Sequence, residues 1–157
     1  MARYTIGTGH AGSQQNMTTT YKTLASLTAA TGATTLRKVW IYDVMFGTDG
    51  TPVDFTVTYK MDRQTTVGTG TSATPAPLDS SDAAALITGT VNHTAEPTVT
   101  ASTQLMEIAT NCRASYRWVA APGGELIVPA TNTAGIGARA KSPSYASTCT
   151  ANIHFWE

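Results

Sequence analysis

Asp54-Phe55-Thr56-Val57-Thr58-Tyr59-Lys60-Met61 alternates apolar and polar side chains without a break. Phe55, Val57, Tyr59 and Met61 fall on one phase, and Asp54, Thr56, Thr58 and Lys60 on the other. A period of two is the repeat of a β-strand, so one face of this segment belongs to a core and the other to water. Cys112, Ala114, Tyr116, Trp118 and Ala120 alternate in the same way with Arg113, Ser115, Arg117 and Val119, which sets a second strand against the same core. Residues 36–46, with Val39, Trp40, Ile41, Val44, Met45 and Phe46, are almost continuously apolar and predict a central strand covered on both faces.

Outward from these, weaker strand patterns cover residues 3–8, 20–28, 99–110, 125–128, 136–141 and 145–156. In 136–141, Arg139 and Lys141 face one way, and in the last stretch Cys149, Ile153 and Phe155 share a phase opposite His154 and Trp156. Asp49-Gly50 and Gly123-Gly124 lie between apolar runs and supply the positive-φ residues that tight connections need. Many short strands separated by turn signals predict an all-β fold, a jelly-roll-like antiparallel β-sandwich. One short helix is expected over residues 78–87, where Asp79 or Ser80 can cap a run of alanines.

Residues 64–77 are too polar to bury themselves and read as an exposed loop or a segment laid along a partner. Residues 1–19 read as an extended N-terminal arm, followed by a single sandwich domain over 20–157. The arm carries Gly7, Gly9 and Gly12 and no bulky apolar residue between Ile6 and Met17, so it buries too little to offset the entropy of ordering. It is expected to lie on a partner, with Arg3, Tyr4, His10, Gln14, Gln15 and Asn16 as contacts and Trp156 joining them from the other end of the chain.

Composition narrows the function. A chain of 157 residues is long enough for one domain with a sizeable core. Formal charge is zero at pH 7 and only 13% of residues are charged, so no basic field collects nucleic acid and no nucleic-acid partner is expected. Thirty threonines and twenty-three alanines favour pleated strands with hydroxyls outside and small side chains at close approaches. No apolar run approaches a membrane span or a signal peptide, so synthesis in a cytosol and no membrane partner are expected. Cys112 and Cys149 fall on core phases and read as buried thiols.

Motifs for chemistry fail on context. Gly7-Thr8-Gly9-His10-Ala11-Gly12 matches the spacing of a dinucleotide fingerprint, but poor helix formers follow it and no β-α-β pattern surrounds it. His10, His93 and His154 are far apart and none has a metal-ligand neighbour at the usual spacing. No nucleophile-elbow motif occurs, and the ten carboxylates are scattered through turns and strand surfaces. No cofactor, metal or enzymatic activity is expected.

Two stretches carry a resemblance: Thr74-Pro75-Ala76-Pro77-Leu78-Asp79-Ser80-Ser81-Asp82-Ala83-Ala84-Ala85 after a Gly/Thr loop, and the segment from Gly124-Glu125-Leu126-Ile127-Val128-Pro129 through Gly135-Ile136-Gly137 to Tyr145. Their texture resembles small jelly-roll decoration or cement proteins, the auxiliary head proteins of tailed bacteriophages. The resemblance implies a non-enzymatic virion protein, a homotrimer that binds the major capsid protein or another virion protein and clamps neighbouring capsomers. A tail-associated structural role would leave the same residues. The alternative is a carbohydrate-binding or adhesive module that uses Trp40, Trp156 or Tyr145 as a stacking platform, which requires an exposed aromatic row with amides or acids beside it. A hydrolase with a dispersed site is the third reading.

Overall fold

The computed structural model describes residues 1–12, 14–29, 36–51, 53–143 and 148–157. Its strands, in chain order, are β1 (Arg3–Gly7), β2 (Gln15–Asn16), β3 (Lys22–Thr28), β4 (Val39–Asp49), β5 (Thr56–Gln64), β6 (Thr69–Ser72), β7 (Ala76–Pro77), β8 (Thr88–Ala95), β9 (Val99–Asn111), β10 (Tyr116–Val119), β11 (Leu126–Val128), β12 (Gly135–Lys141) and β13 (Thr148–Trp156). They form a seven-stranded sheet ordered β10-β4-β13-β1-β7, with β11 also on β4 and β2 also on β13, and a six-stranded sheet ordered β6-β8-β3-β12-β5-β9.

The pairing is nested. β1 runs against β13, β3 against β12, β4 against β10 and β5 against β9, all antiparallel. Successive pairs alternate between the sheets, so the chain is one long hairpin rolled into a sandwich, which is the jelly-roll plan. The segment between β5 and β9 adds β6 and β8 to one sheet and β7 to the edge of the other.

Between the sheets lie Ile6, Leu24, Leu27, Val39, Ile41, Val44, Phe46, Val57, Tyr59, Met61, Ile136, Ile153 and Phe155, all buried. Val57, Tyr59 and Met61 occupy the inner phase read from the alternation, and Phe46 stacks on Tyr59 with ring centroids 4.8 Å apart. Phe55 departs from that reading: it precedes β5 and is exposed, because the chain turns there, with Phe55 N donating to Val53 O and Cys112 N donating to Phe55 O. Cys112 and Cys149 are free, buried thiols, and burial pushes Cys149 up to about 12. Gly50 and Gly123 have φ of 118° and 79°, the positive values their turns were expected to need.

Four expectations need correction. The N-terminal segment is not an arm outside the sandwich: β1 pairs along its whole length with β13, Tyr4 and Ile6 are core residues, and Met17 is buried as well. The absence of bulky residues between Ile6 and Met17 misled, because the small residues in between form a single 3-10 turn, Thr8–Ala11, between β1 and β2, both of which pair with β13. Residues 78–87 form turns and no helix. Asp79 Oδ1 accepts from Ser81 N at 2.9 Å and from Ser81 Oγ at 2.7 Å, local bonds that compete with helix formation, and Leu86 N donates to Glu157 Oε2 instead of to a helical carbonyl.

Residues 64–77 are largely exposed, yet β6 and β7 are hydrogen-bonded within the molecule. Finally, β4 is central in its sheet but covered on one face only: Trp40, Tyr42 and Met45 are half-buried on its outer side. The proposed strand from residue 145 and the platform residue Tyr145 begin outside the described residues, and β13 starts at Thr148.

Candidate functional site

The outer face of the seven-stranded sheet gathers side chains from both ends and the middle of the chain. Alternation along β13 sends Cys149, Ala151, Ile153 and Phe155 inward, so Thr150, Asn152, His154 and Trp156 point out. The register then defines transverse rows across β1, β13 and β4. Arg3, Trp156 and Trp40 form the first, Thr5, His154 and Asp43 the second, and Gly7, Asn152 and Met45 the third, which Arg117 of β10 extends. Rows two residues apart are spaced about 7 Å along the strands.

A β-bulge decides what this face carries. The register between β13 and β4 shifts between His154 and Phe155, so that His154 opposes Asp43 and Phe155 opposes Ile41, with Tyr42 left over. A bulge places two successive residues on the same side. The Tyr42 ring therefore lies beside its outward neighbours, 5.4 Å from Trp156 and 6.2 Å from His154 between centroids. Lys38 Nζ sits 5.5 Å above the Trp40 ring, a cation–π contact at the end of the row.

Beneath the aromatics, Asp43 is almost wholly buried and is held by three donors. Arg117 Nε reaches Oδ1 at 3.0 Å and Arg117 Nη2 reaches Oδ2 at 2.7 Å, while His154 Nδ1 lies 3.1 Å from Oδ2. The bidentate guanidinium, with the imidazole behind it, holds the Asp43 carboxyl below the usual carboxylate range despite its burial. Burial raises the Tyr42 phenol. Thr5 Oγ1 donates to Asn152 Oδ1 at 2.6 Å, which orients the Asn152 amide.

At the Asn152 end the face opens into a cleft of about 430 Å³, whose lining includes His10, Gln14, Asn152, Met45 and Ser115. A second cavity of about 310 Å³ lies at the opposite edge, lined by Tyr4, Arg37, Ala83, Ala84, Leu86 and Glu157.

The contact residues expected from the sequence are divided by the fold. Arg3 and Trp156 are neighbours on the outer face, and His10 and Gln14 share the cleft wall. Asn16 is exposed on β2. Tyr4 and Gln15 are not surface contacts: Tyr4 stacks on Phe155 at 5.6 Å and its hydroxyl donates to Ala83 O, and Gln15 is buried where β2 pairs with Cys149. Odd-even alternation from Arg3 was the available signal for Tyr4. Asp43, Arg117, His154 and Asn152 were missed because no local spacing links them. The break that Asp43 makes in an apolar run was the one hint.

The other sheet has its own polar cluster on its outer side. Asp62 is buried and is met by Lys60 Nζ and Arg139 Nη1, each at 3.2 Å, while Glu96 Oε2 accepts from Thr23 N and Oγ1 and Glu96 Oε1 lies 3.6 Å from Lys22. Arg139 and Lys141 do share a face, and with Lys60 they surround the Tyr21 ring at 5.4, 4.5 and 5.1 Å. Acids and bases compensate one another here, so the cluster reads as structural.

Among the described residues no three of histidine, cysteine, aspartate and glutamate gather as metal ligands, and no helix is long and apolar enough to cross a membrane. No protein-family model, curated protein or solved structure matches this chain.

Proposed function

We propose that the chain is a non-enzymatic structural protein of a bacteriophage virion, a decoration or cement protein that assembles as a homotrimer and holds on to the major capsid protein or another virion protein. The observation that carries the reading is an exposed apolar cluster at the β7 edge. Met1, Leu78 and Leu86 are 83%, 49% and 54% exposed, three of the five large apolar side chains that stand exposed among the described residues. Hydrogen bonds tie two of them to this end of the sheet: Leu78 N donates to Arg3 O, and Leu86 N donates to the carboxylate of Glu157 next to Trp156. The 310 Å³ cavity beside Leu86, lined also by Tyr4, Ala83, Ala84, Arg37 and Glu157, offers a socket for a side chain of a neighbouring subunit.

Two further features support it. Residues 74–85, whose texture carries the resemblance to decoration proteins, build this edge. The low charge of the chain also means that few groups lose hydration when its surface is covered, and repetition over a shell multiplies weak contacts into retention.

The test is the mass of the full chain in solution, by sedimentation equilibrium, followed by co-sedimentation with heads that lack the protein. A trimer that binds heads, and Leu78→Asp and Leu86→Asp variants that fold but lose trimer or attachment, are the expected results. A monomer with no affinity for heads overturns the reading.

A further inference from the structure

The outer face of the seven-stranded sheet is chemically unlike the β7 edge. Trp40, Tyr42 and Trp156 are each half-buried on this face, with the Tyr42 and Trp156 rings 5.4 Å apart and tilted by 44° and Trp40 opposite Trp156 in the register, so that together they make an aromatic floor. Planar polar groups stand around that floor. Arg117 uses Nε and Nη2 on Asp43, which leaves its Nη1 edge directed elsewhere on a side chain that is 62% exposed. Asn152 uses Oδ1 to accept from Thr5, which leaves its amide N–H groups without an acceptor among the described residues. A pyranose has C–H bonds on its ring face and hydroxyls around its rim, and this combination of ring faces with fixed planar donors matches both.

Charge narrows the ligand further. The acids of this region are already committed, Asp43 to Arg117 and His154, and Glu157 to Arg37 at 3.8 Å and to the Leu86 amide. The cations flanking the aromatic floor are not: among the described residues neither Arg3, beside Trp156 in the register, nor Lys38, over Trp40, has a carboxylate within ion-pair distance. The face therefore presents two cations free of ion pairs beside an aromatic floor, with Asp79 acting on Arg3 only through space. From the Trp156 row to the Asn152 row is about 14 Å along β13, and the 430 Å³ cleft continues from there, so the surface suits a chain of sugar units rather than one.

We propose that this face binds an acidic oligosaccharide, one whose sugar faces lie on Trp40 and Trp156, whose carboxylates or sulfates meet Arg3 and Lys38, and whose further units run past Arg117 and Asn152 toward the cleft. Single-stranded nucleic acid also combines stacking with negative charge, but its affinity comes from many phosphate contacts, and this face offers two free cations around a buried aspartate. The site shares Arg3 and the Trp156–Glu157 end of β13 with the edge used in the assembly reading, so the two are told apart by residues that belong to one only: Trp40 and Lys38 to the sugar face, Leu78 and Leu86 to the β7 edge.

The test is a tryptophan-fluorescence titration of the full-length chain with trigalacturonic acid and with sialyllactose, alongside cellotriose as a neutral sugar and oligothymidylate as a nucleic acid. Saturable binding of at least one acidic sugar, weakened by added salt, is expected. Arg3→Gln and Lys38→Gln, both surface changes, should each weaken it by about tenfold, the size of one charge-assisted contact. Trp40→Ala should abolish it with an unchanged circular dichroism spectrum, and if that variant does not fold, the Arg3→Gln/Lys38→Gln double variant decides. Leu86→Asp should leave the titration unchanged even where it disrupts assembly. The proposal is overturned if neither acidic sugar binds, if cellotriose or oligothymidylate binds as tightly, if the glutamine variants bind like the parent, or if Trp40→Ala changes the mass of the protein in solution.

Discussion

A methyl group on Gly89 would collide with Ile6 Cδ1 and with the carbonyl oxygen of Ala73, one in the core and one in a neighbouring backbone. Neither can retreat freely, since Ile6 is fully buried and Ala73 N is bonded to Gly89 O. Gly89→Ala should therefore destabilise the protein by about 1–3 kcal/mol, read from urea unfolding. A variant as stable as the parent would show that the packing there is loose. Acid sensitivity also begins with a single residue. His93 is buried with Ser26 Oγ 3.4 Å from Nε2, and burial lowers its pKa below 6.5 despite the Glu96 carboxylate nearby. The folded protein then binds this proton less readily than the unfolded chain, so the contribution is fully present above about pH 6.5 and is lost as pH falls through the lower folded value, at up to about 1.4 kcal/mol per pH unit. Asp43, also depressed, adds a second loss only below the ordinary carboxylate range. Thermal melts across pH 4–7 should show the first decline starting near 6.5, and His93→Gln should remove it. Superimposable pH profiles for the two proteins would rule His93 out as the cause.

β1 is the element whose role differs most from what its neighbourhood in the sequence suggests. It supplies five register pairs to β13, carries β7 on its other side, and places Tyr4 and Ile6 in the core. Removing it would expose the Phe155 and Ile153 side of the core and leave β13 with one partner strand over that length. Deletion of residues 2–7 should thus abolish cooperative unfolding and the near-ultraviolet circular dichroism of the packed aromatics, a loss larger than any single core truncation. A deletion protein that still unfolds in one sharp transition would mean that β1 is an attachment and not a structural rung. Within β4 the bulge at Tyr42 has the complementary role. It costs one ladder pairing and in return sets Tyr42 and Asp43 on the outer face together, where the acid is buried under the aromatics and tied to Arg117.

For the molecule as a whole, the nested pairing means that almost every rung joins segments remote in sequence. β1 meets β13, and β3 meets β12, each across more than a hundred residues. Loop closure has to precede those contacts, so the protein should fold in the millisecond-to-second range typical of non-local β topologies, not in microseconds. Stopped-flow refolding monitored by tryptophan fluorescence measures this directly. A microsecond phase carrying the full amplitude would contradict the argument. The same plan explains how the surface is shared out: the rolled hairpin leaves β9 and β6 at the edges of one sheet and β7 at an edge of the other, with the broad outer face of β1, β13 and β4 between.

Alternation is a local property, and it was sufficient to identify β5 and the strand around Tyr116 and to assign Val57, Tyr59, Met61, Ile153 and Phe155 to the core, while β9 showed only as a weaker pattern. The positive φ of Gly50 and Gly123 was likewise readable, because a turn's geometry is set by the few residues within it. β8 gave no such signal: Val91 is its one large apolar residue, and it is a strand because β3 pairs with it. Tertiary structure alone decided that residues 3–7 belong inside the sandwich, since small and polar neighbours cannot reveal that β13 waits more than a hundred residues away. It alone brought Arg3, Trp40 and Trp156 into one row and Asn152, His10 and Gln14 to one cleft. The physical reason is that a strand's partners are chosen by non-local register and by the core volume left to fill, and neither is written in the spacing of any one segment.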